Sequence, residues 1–327
     1  MLLPVFNAAA TLELCLQSIA RQSEERWECV LVDDGSADDT TTIAEKFASS
    51  DARFRIVKRD HEGLVATLNA GIDCCDGEYI ARMDGDDVMH RHRLEAQCTA
   101  LDEQRELSAV GCHVRLFPRR SLREGLLLYE RWLNAIDSRV ELEREAFIEC
   151  PIAHPTLTIR RSVLSAYRYR DEGWPEDYDL ILRLLRDGKH LSVVARRLLH
   201  WRDGPSRMSR THEAYTTQRF TACRAAFLAT GFLSNSDNYV LWGYGGTGKA
   251  LRKALSDLGK TPAAIVELHP GRLGQRIFGA PVIPPSDLTD YKLPIVVSVA
   301  GLTPRREIRA QLAGMGWLER IDYVVCA

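Results

Sequence analysis

Four acidic or histidine-bearing clusters have residue types and spacings that could do chemistry. Asp84-Gly85-Asp86-Asp87 follows the apolar run Glu78 to Met83. Carboxylates spaced Asp-x-Asp at a strand end can set oxygens around one hard divalent cation, while Gly85 lets the turn close tightly. A cation held there can also take two phosphate oxygens, which suits the departure of a diphosphate. Alone, the same turn reads first as a solvated acidic helix cap. Asp33-Asp34-Gly35-Ser36 ends a second apolar run, and its side chains could bind a ligand or simply build the turn. Glu176-Asp177 stands before Leu180, Ile181, Leu184 and Leu185, a helical spacing, so the pair lies at a helix N-terminus. The helix dipole stabilises carboxylates there, so the pair reads on its own as a plain acidic cap. His154-Pro155 follows Cys150-Pro151 in a segment that proline pushes toward extended backbone.

These clusters need elements to hold them, and the first 200 residues alternate strand and helix patterns. Met1 to Phe6, Glu28 to Val32, Phe54 to Val57 and Glu78 to Met83 read as strands. Thr11 to Gln22, with Leu12, Cys15, Leu16 and Ile19 at helical spacing, reads as a helix. Asp38 and Asp39 can cap another through Phe47, and Leu64 to Ile72 is a third. Such repetition predicts an α/β fold, a mainly parallel sheet with flanking helices and ligands at the strand C-terminal ends, where the acids lie. Leu101 to Glu149 has no clear periodicity and reads as charged helical segments; Gln218 to Gly231 reads as a helix closing the first unit.

The clusters occur in an order and spacing that resembles the glycosyltransferase family 2 enzymes of the GT-A fold. The matching stretches are Pro4-Val-Phe-Asn7, Val32 to Ser36, Gly63 to Gly71, Gly77 to Asp87, Ile152 to Thr156 and Trp174 to Leu180, spanning about residues 1 to 210. The resemblance implies an inverting, metal-dependent transfer from a nucleoside-diphosphate sugar to a hydroxyl acceptor, a saccharide or lipid-linked saccharide, in surface polysaccharide or glycoconjugate assembly. It implies Pro4, Val5, Asn7, Asp33, Asp34 and Asp84 as the nucleotide-sugar pocket, with Asp34 accepting a hydrogen bond from the base. One of Asp33 and Asp34 is expected to be structural, since paired carboxylates rarely share a ligand. Asp86 with Asp84 would hold Mn2+ or Mg2+, Asp177 would be the base, Glu176 would assist it, and His154 would lie on the acceptor side. Members carry several residues before the Pro-Val-Phe-Asn equivalent, whereas only Met1-Leu-Leu3 precede it here; either the first strand is short or translation starts upstream of Met1.

A second unit is expected from residue 236, giving domains of 1–235 and 236–327. Tyr239-Val-Leu-Trp-Gly-Tyr-Gly-Gly-Thr-Gly-Lys249 places Gly243, Gly245 and Gly248 after an apolar strand, and Glu267 ends the next strand 19 residues beyond Gly248. This is the pattern of a small Rossmann-like domain, in which the glycines let a phosphate approach a helix N-terminus. NAD(P) or another nucleotide could bind, or the glycines could serve the tight turn alone. Ala250 stands where a Walker A loop needs Ser or Thr, which counts against an NTPase. The competing functions are therefore an NAD(P)-dependent sugar-nucleotide oxidoreductase or epimerase, disfavoured by the absence of an evident Tyr-x-x-x-Lys, and a non-catalytic sugar-nucleotide binder, for which Glu176-Asp177 would be idle.

Composition narrows the setting. The 327 residues carry 43 Lys and Arg against 45 Asp and Glu, a net charge of −2 that argues against a nucleic-acid partner. Charge is segregated, however: Leu180 to Arg224 holds ten Lys and Arg against three acids. Arg202, Arg207 or Arg210 could neutralise a diphosphate, or the stretch could dock on anionic lipid; His200 is a further candidate metal ligand. No apolar run reaches the roughly 18 residues that span a bilayer, and nothing at the N-terminus resembles a signal peptide. Nine scattered cysteines without a CxxC point to a reducing compartment. The expected location is the cytoplasm, with peripheral contact at the inner membrane face; the oligomeric state stays open.

Overall fold

The computed structural model describes residues 1–204 and 207–327. In chain order the first part runs β1 (Leu2–Val5), α1 (Ala9–Ala20), β2 (Cys29–Asp33), α2 (Thr40–Ser50), β3 (Phe54–Lys58), α3 (Leu64–Cys74), β4 (Tyr79–Ala81), β5 (Val88–Met89) and α4 (Arg93–Glu103). Then come β6 (Leu107–Phe117), α5 (Glu124–Leu133), α6 (Arg139–Glu145), β7 (Thr158–Arg160), α7 (Arg161–Tyr167), α8 (Glu176–Arg186) and β8 (His190–Arg202). The remainder is α9 (Met208–Thr211), α10 (Thr217–Thr230), β9 (Asn238–Trp242), α11 (Gly246–Asp257), β10 (Thr261–Val266), β11 (Arg276–Ile277), β12 (Ala280–Ile283), β13 (Ile295–Val297), α12 (Leu302–Gly314) and β14 (Tyr323–Val325).

Two units share this chain. The first comprises 1–142, 151–172 and 179–207; the second comprises 143–150, 173–178 and 208–327. The division lies upstream of residue 236, because α10 belongs with the second unit: its Ala225, Leu228 and Ala229 join the core of Tyr239, Leu241, Leu251 and Ile265.

In the first unit β1, β2 and β3 form a parallel sheet in that order. Every residue of β2 is buried, as expected for a strand covered on both faces. Helix α1 buries Leu12, Cys15, Leu16 and Ile19, one stripe at helical spacing, into a core with Leu3, Val5 and Leu31. A second, mixed sheet runs β4-β7-β6-β8-β5. Its long strands β6 and β8 pair in parallel, and β6 lies in the stretch expected to be helical. An isolated bridge from Leu2 to Arg82 and the bond from Met83 N–H to the Leu2 carbonyl, 3.1 Å, lay the chain after β4 beside β1. The ends of β1 and β2 and the acidic turn at Asp84 are thereby built from neighbouring backbone.

The second unit has a sheet ordered β11-β12-β10-β9-β13-β14, parallel except for the β11–β12 hairpin. Strand order reverses between β9 and β13, and in open α/β sheets the crevice at such a reversal is where ligands sit. Among the described residues no helix is long and apolar enough to cross a membrane, and none of the nine cysteines forms a disulfide.

Candidate functional site

The turn after β4 brings Asp84, Asp86 and Asp87 together, each offering a carboxylate oxygen within 4.8 Å of the others'. Arg82, buried beside them, forms an ion pair with Asp84. Burial works against ionisation of Asp84, but Arg82 outweighs it, aided by His154 and Arg207, and the carboxyl stays below its ordinary range. Asp86 is pushed up to about 6 by burial and by the Asp84 anion, with Arg207 opposing. Asp87 is also pushed well above the ordinary range, by burial and by both neighbouring carboxylates. It is fully buried and accepts the Arg202 N–H at 2.7 Å through Oδ1, while its Oδ2 has no hydrogen-bond partner. An orphaned carboxylate oxygen within a crowded acid cluster is an arrangement that a divalent cation relieves. The all-oxygen donor set fits Mg2+ or Mn2+. His200, by contrast, is paired in register with Val88, outside this cluster, and does not join the ligand set.

The β1 and β2 ends are stitched to one another. Asn7, with a positive φ of 48°, donates its N–H to Ser36 Oγ and accepts the Ala37 N–H at its side-chain oxygen, both at 2.9 Å. Pro4 and Val5 are buried in β1. Asp33 accepts the Ser36 N–H at 3.0 Å and the Thr41 hydroxyl. Asp34 accepts the N–H groups of Glu62 and Gly63, both at 3.0 Å, and pairs with His61 at 2.8 Å. Both acids thus have internal partners, where one was expected to. Burial opposes the charge on Asp34, yet the Glu62 N–H, the Thr67 hydroxyl and the Gly63 N–H together hold its carboxyl below the usual range. Gly35 is required at the turn: its φ is +75°, and a Cβ would stand 2.9 Å from the His61 nitrogen.

A feature absent from the sequence reading lies at this edge. Phe6 is 47% exposed, a large apolar side chain at a strand end. The His61 ring stacks on it at 4.1 Å and 17°. Only Phe6 within the Pro-Val-Phe-Asn stretch could have signalled it, because His61 comes from a distant loop.

His154 is buried, and its Nε2 lies 2.8 Å from the Tyr169 hydroxyl. In the second unit, Glu176 is 5% exposed and opens α8, with Asp177 beside it half-buried. Asp177 Oδ1 accepts the Tyr178 N–H at 2.7 Å, and Glu176 Oε2 accepts the Tyr215 hydroxyl at 2.5 Å. No motif or spacing pointed to Tyr215.

The second unit also holds a cavity of about 560 Å³ at the β9–α11 turn, lined by Gly243, Gly245, Gly246, Glu267, Arg272 and Ser298 among others. Gly248 faces the turn instead: a Cβ there would stand 2.4 Å from the Gly243 carbonyl oxygen. Glu267 is spent internally, accepting the Tyr244 N–H at 3.0 Å and pairing with Arg272 at 2.7 Å.

Comparison with known proteins bears on the first unit. The model of "Glycosyl transferase family 2" matches residues 1–168, just over half of the chain. "Putative glycosyltransferase EpsE" of Bacillus subtilis (strain 168) is 33% identical over 190 residues, which take in 56% of this chain and 65% of EpsE, so the chain spans less than two thirds of that relative. Among solved structures, Staphylococcus aureus TarS residues 1–349 in complex with UDP-GlcNAc superposes with a TM-score of 0.55 at 17% identity, covering 78% of this chain and 70% of the other. The mannosyltransferase PcManGT of Pyrobaculum calidifontis, in complex with GDP-Man and Mn2+, gives 0.50 at 15% identity, covering 96% and 79%. At such identities these two likenesses speak for the fold alone. Acidic turn, stitched strand ends and matched sequence agree, and the chain belongs to glycosyl transferase family 2.

Proposed function

We propose that this protein transfers a glycosyl group from a nucleoside-diphosphate sugar to a hydroxyl acceptor, with inversion at the anomeric carbon. The observation that carries the reading is the Asp84, Asp86 and Asp87 cluster, with Arg82 paired to it and Arg207 close enough to bias its ionisation. Family membership supports it, as do two structural neighbours solved in complex with UDP-GlcNAc and with GDP-Man. Asp86 and Asp84 would hold Mn2+ or Mg2+, which supplies positive charge to a departing diphosphate. Asp87, buried behind them, anchors the turn through the Arg202 N–H.

The remaining roles belong to the chain's own residues. Phe6 and His61 offer a stacking face to the base. Asp34 shapes that face by fixing the 61–63 backbone, while Asp33, Asn7, Pro4 and Val5 set the walls. In the transfer, Asp177 takes the proton of the acceptor hydroxyl and its oxygen bonds to the anomeric carbon. The bond from that carbon to the diphosphate oxygen breaks, the electron pair leaving with the phosphate, whose charge Arg82 and Arg207 offset. One base and no covalent intermediate give inversion. Glu176 positions the acceptor, and His154, fixed by Tyr169, would also serve the acceptor. The expected acceptor is a saccharide or lipid-linked saccharide in surface polysaccharide or glycoconjugate assembly, at the cytoplasmic membrane face. At the C-terminal turn, engagement of Glu267 by Arg272 weighs against NAD(P), because the acid that would take the ribose hydroxyls is occupied.

The test is release of nucleoside diphosphate from a panel of UDP-, GDP- and dTDP-sugars, with Mn2+ and with EDTA. Release that needs the metal is expected, and Asp177→Asn should lower kcat by about 10²- to 10⁴-fold with donor affinity kept. Metal-independent release, or full activity in Asp177→Asn, would overturn the corresponding assignment.

A further inference from the structure

Resting on the reading of Glu176-Asp177 just given, we propose that Tyr215 is a positioning residue of the transfer reaction and acts through Glu176. Glu176 is 5% exposed. A carboxylate at that depth has lost most of its water and needs donors from the protein. Tyr215 supplies one, its hydroxyl 2.5 Å from Oε2, a short charge-assisted bond joining residues 39 apart in the chain.

The donor is itself held in place. Tyr215 ends a 3₁₀ turn, Glu213–Tyr215, capped by His212, whose Nδ1 accepts the Ala214 N–H at 3.3 Å. The Tyr215 N–H returns to the His212 carbonyl at 3.2 Å, and the His212 ring stands edge-on to the tyrosine at 6.3 Å. Arg219 on α10 pairs with Glu213 at 2.7 Å, fastening the turn to the helix that follows. The hydroxyl therefore reaches Glu176 from a braced backbone.

The consequence for the chemistry is positional: the Tyr215 hydroxyl holds the Glu176 carboxyl group through Oε2. Held in one rotamer, Glu176 gives the acceptor a fixed point beside the base. Released, it must be ordered again at each turnover, a loss that falls on the rate more than on donor affinity.

A purely structural Tyr215 would satisfy a buried charge and do nothing else, and a double-mutant cycle separates the two roles. The full chain, Tyr215→Phe, Glu176→Gln and the double variant are assayed with Mn2+ on the same panel of nucleotide sugars, water serving as acceptor, and their Tm values are measured. The expected result is a kcat lower by about 10- to 100-fold in Tyr215→Phe with donor KM within about twofold. The double variant should fall no further than Glu176→Gln alone, since both changes remove one arrangement. Losses that multiply in the double variant, or an unchanged kcat in Tyr215→Phe whatever its Tm, overturn the inference while leaving the transferase reading intact. A wild-type chain that releases diphosphate from no donor sinks that reading and the inference with it.

Discussion

A carboxylate that is 4% exposed keeps its charge only if donors replace the lost water, and Asp34 has the Glu62 and Gly63 N–H groups and the His61 ring. Its folded pKa lies below the ordinary value. The stabilisation is therefore fully present above the unfolded pKa, near 3.9, and fades as pH falls through the lower folded value. Asp34→Asn turns an NH2 group toward N–H donors and should lower stability by about 1–3 kcal/mol at neutral pH. Thermal melts should show that gap narrowing as pH falls below about 4 toward the lower folded value; a gap that stays constant on acidification would refute the account. Asp84 and Asp86 were legible because their meaning is local, two acids spaced for one cation at the end of a strand. The stacking of Phe6 on His61 and the bond from Tyr215 to Glu176 were not, since each joins residues that only the folded sheet order brings together.

At the scale of the element, a local signal again separated what could be read from what could not. The apolar stripe Leu12, Cys15, Leu16 and Ile19 places α1 within two residues of its ends. Strand β6 gives a weak signal because Val110 and Gly111 break the alternation that Cys112, Val114 and Leu116 keep with His113 and Arg115. Its extended form comes from pairing with β8, more than eighty residues onward, and tertiary pairing overrides weak propensity. The glycine turn of the second unit was legible as a motif, yet its glycines are not equivalent. A Cβ on Gly248 would stand 2.4 Å from the Gly243 carbonyl oxygen and 2.6 Å from Ser298 Oγ, whereas Gly245 has open space and an ordinary φ of −76°. Gly248→Ala should therefore lower stability by about 1–3 kcal/mol. Gly245→Ala should stay within about 0.5 kcal/mol of wild type. Equal melting curves for the two variants would contradict this reading of the turn.

On the scale of the whole molecule, the second unit is made of three stretches of chain. Phe147 and Ile148 pack against its cores. Arg144 pairs with Glu319 and Glu145 with Arg309, both at 2.8 Å, while Arg224 donates to the carbonyls of Ile148 and Cys326, both at 2.6 Å. A chain ended after Arg207 would leave Phe147 and Ile148 without that cover and Glu145 without its arginine. It should be less soluble and melt at a lower temperature than the full chain; equal solubility and Tm would count against this dependence. The same interleaving bears on how such a chain can change by descent. A genetic crossover near codon 208 would deliver a foreign tail to resident residues 143–150 and 173–178 that were selected to fit another. Exchange of the tail succeeds only when those two short stretches are exchanged with it, so the three should vary together among descendants, although they are far apart in the gene.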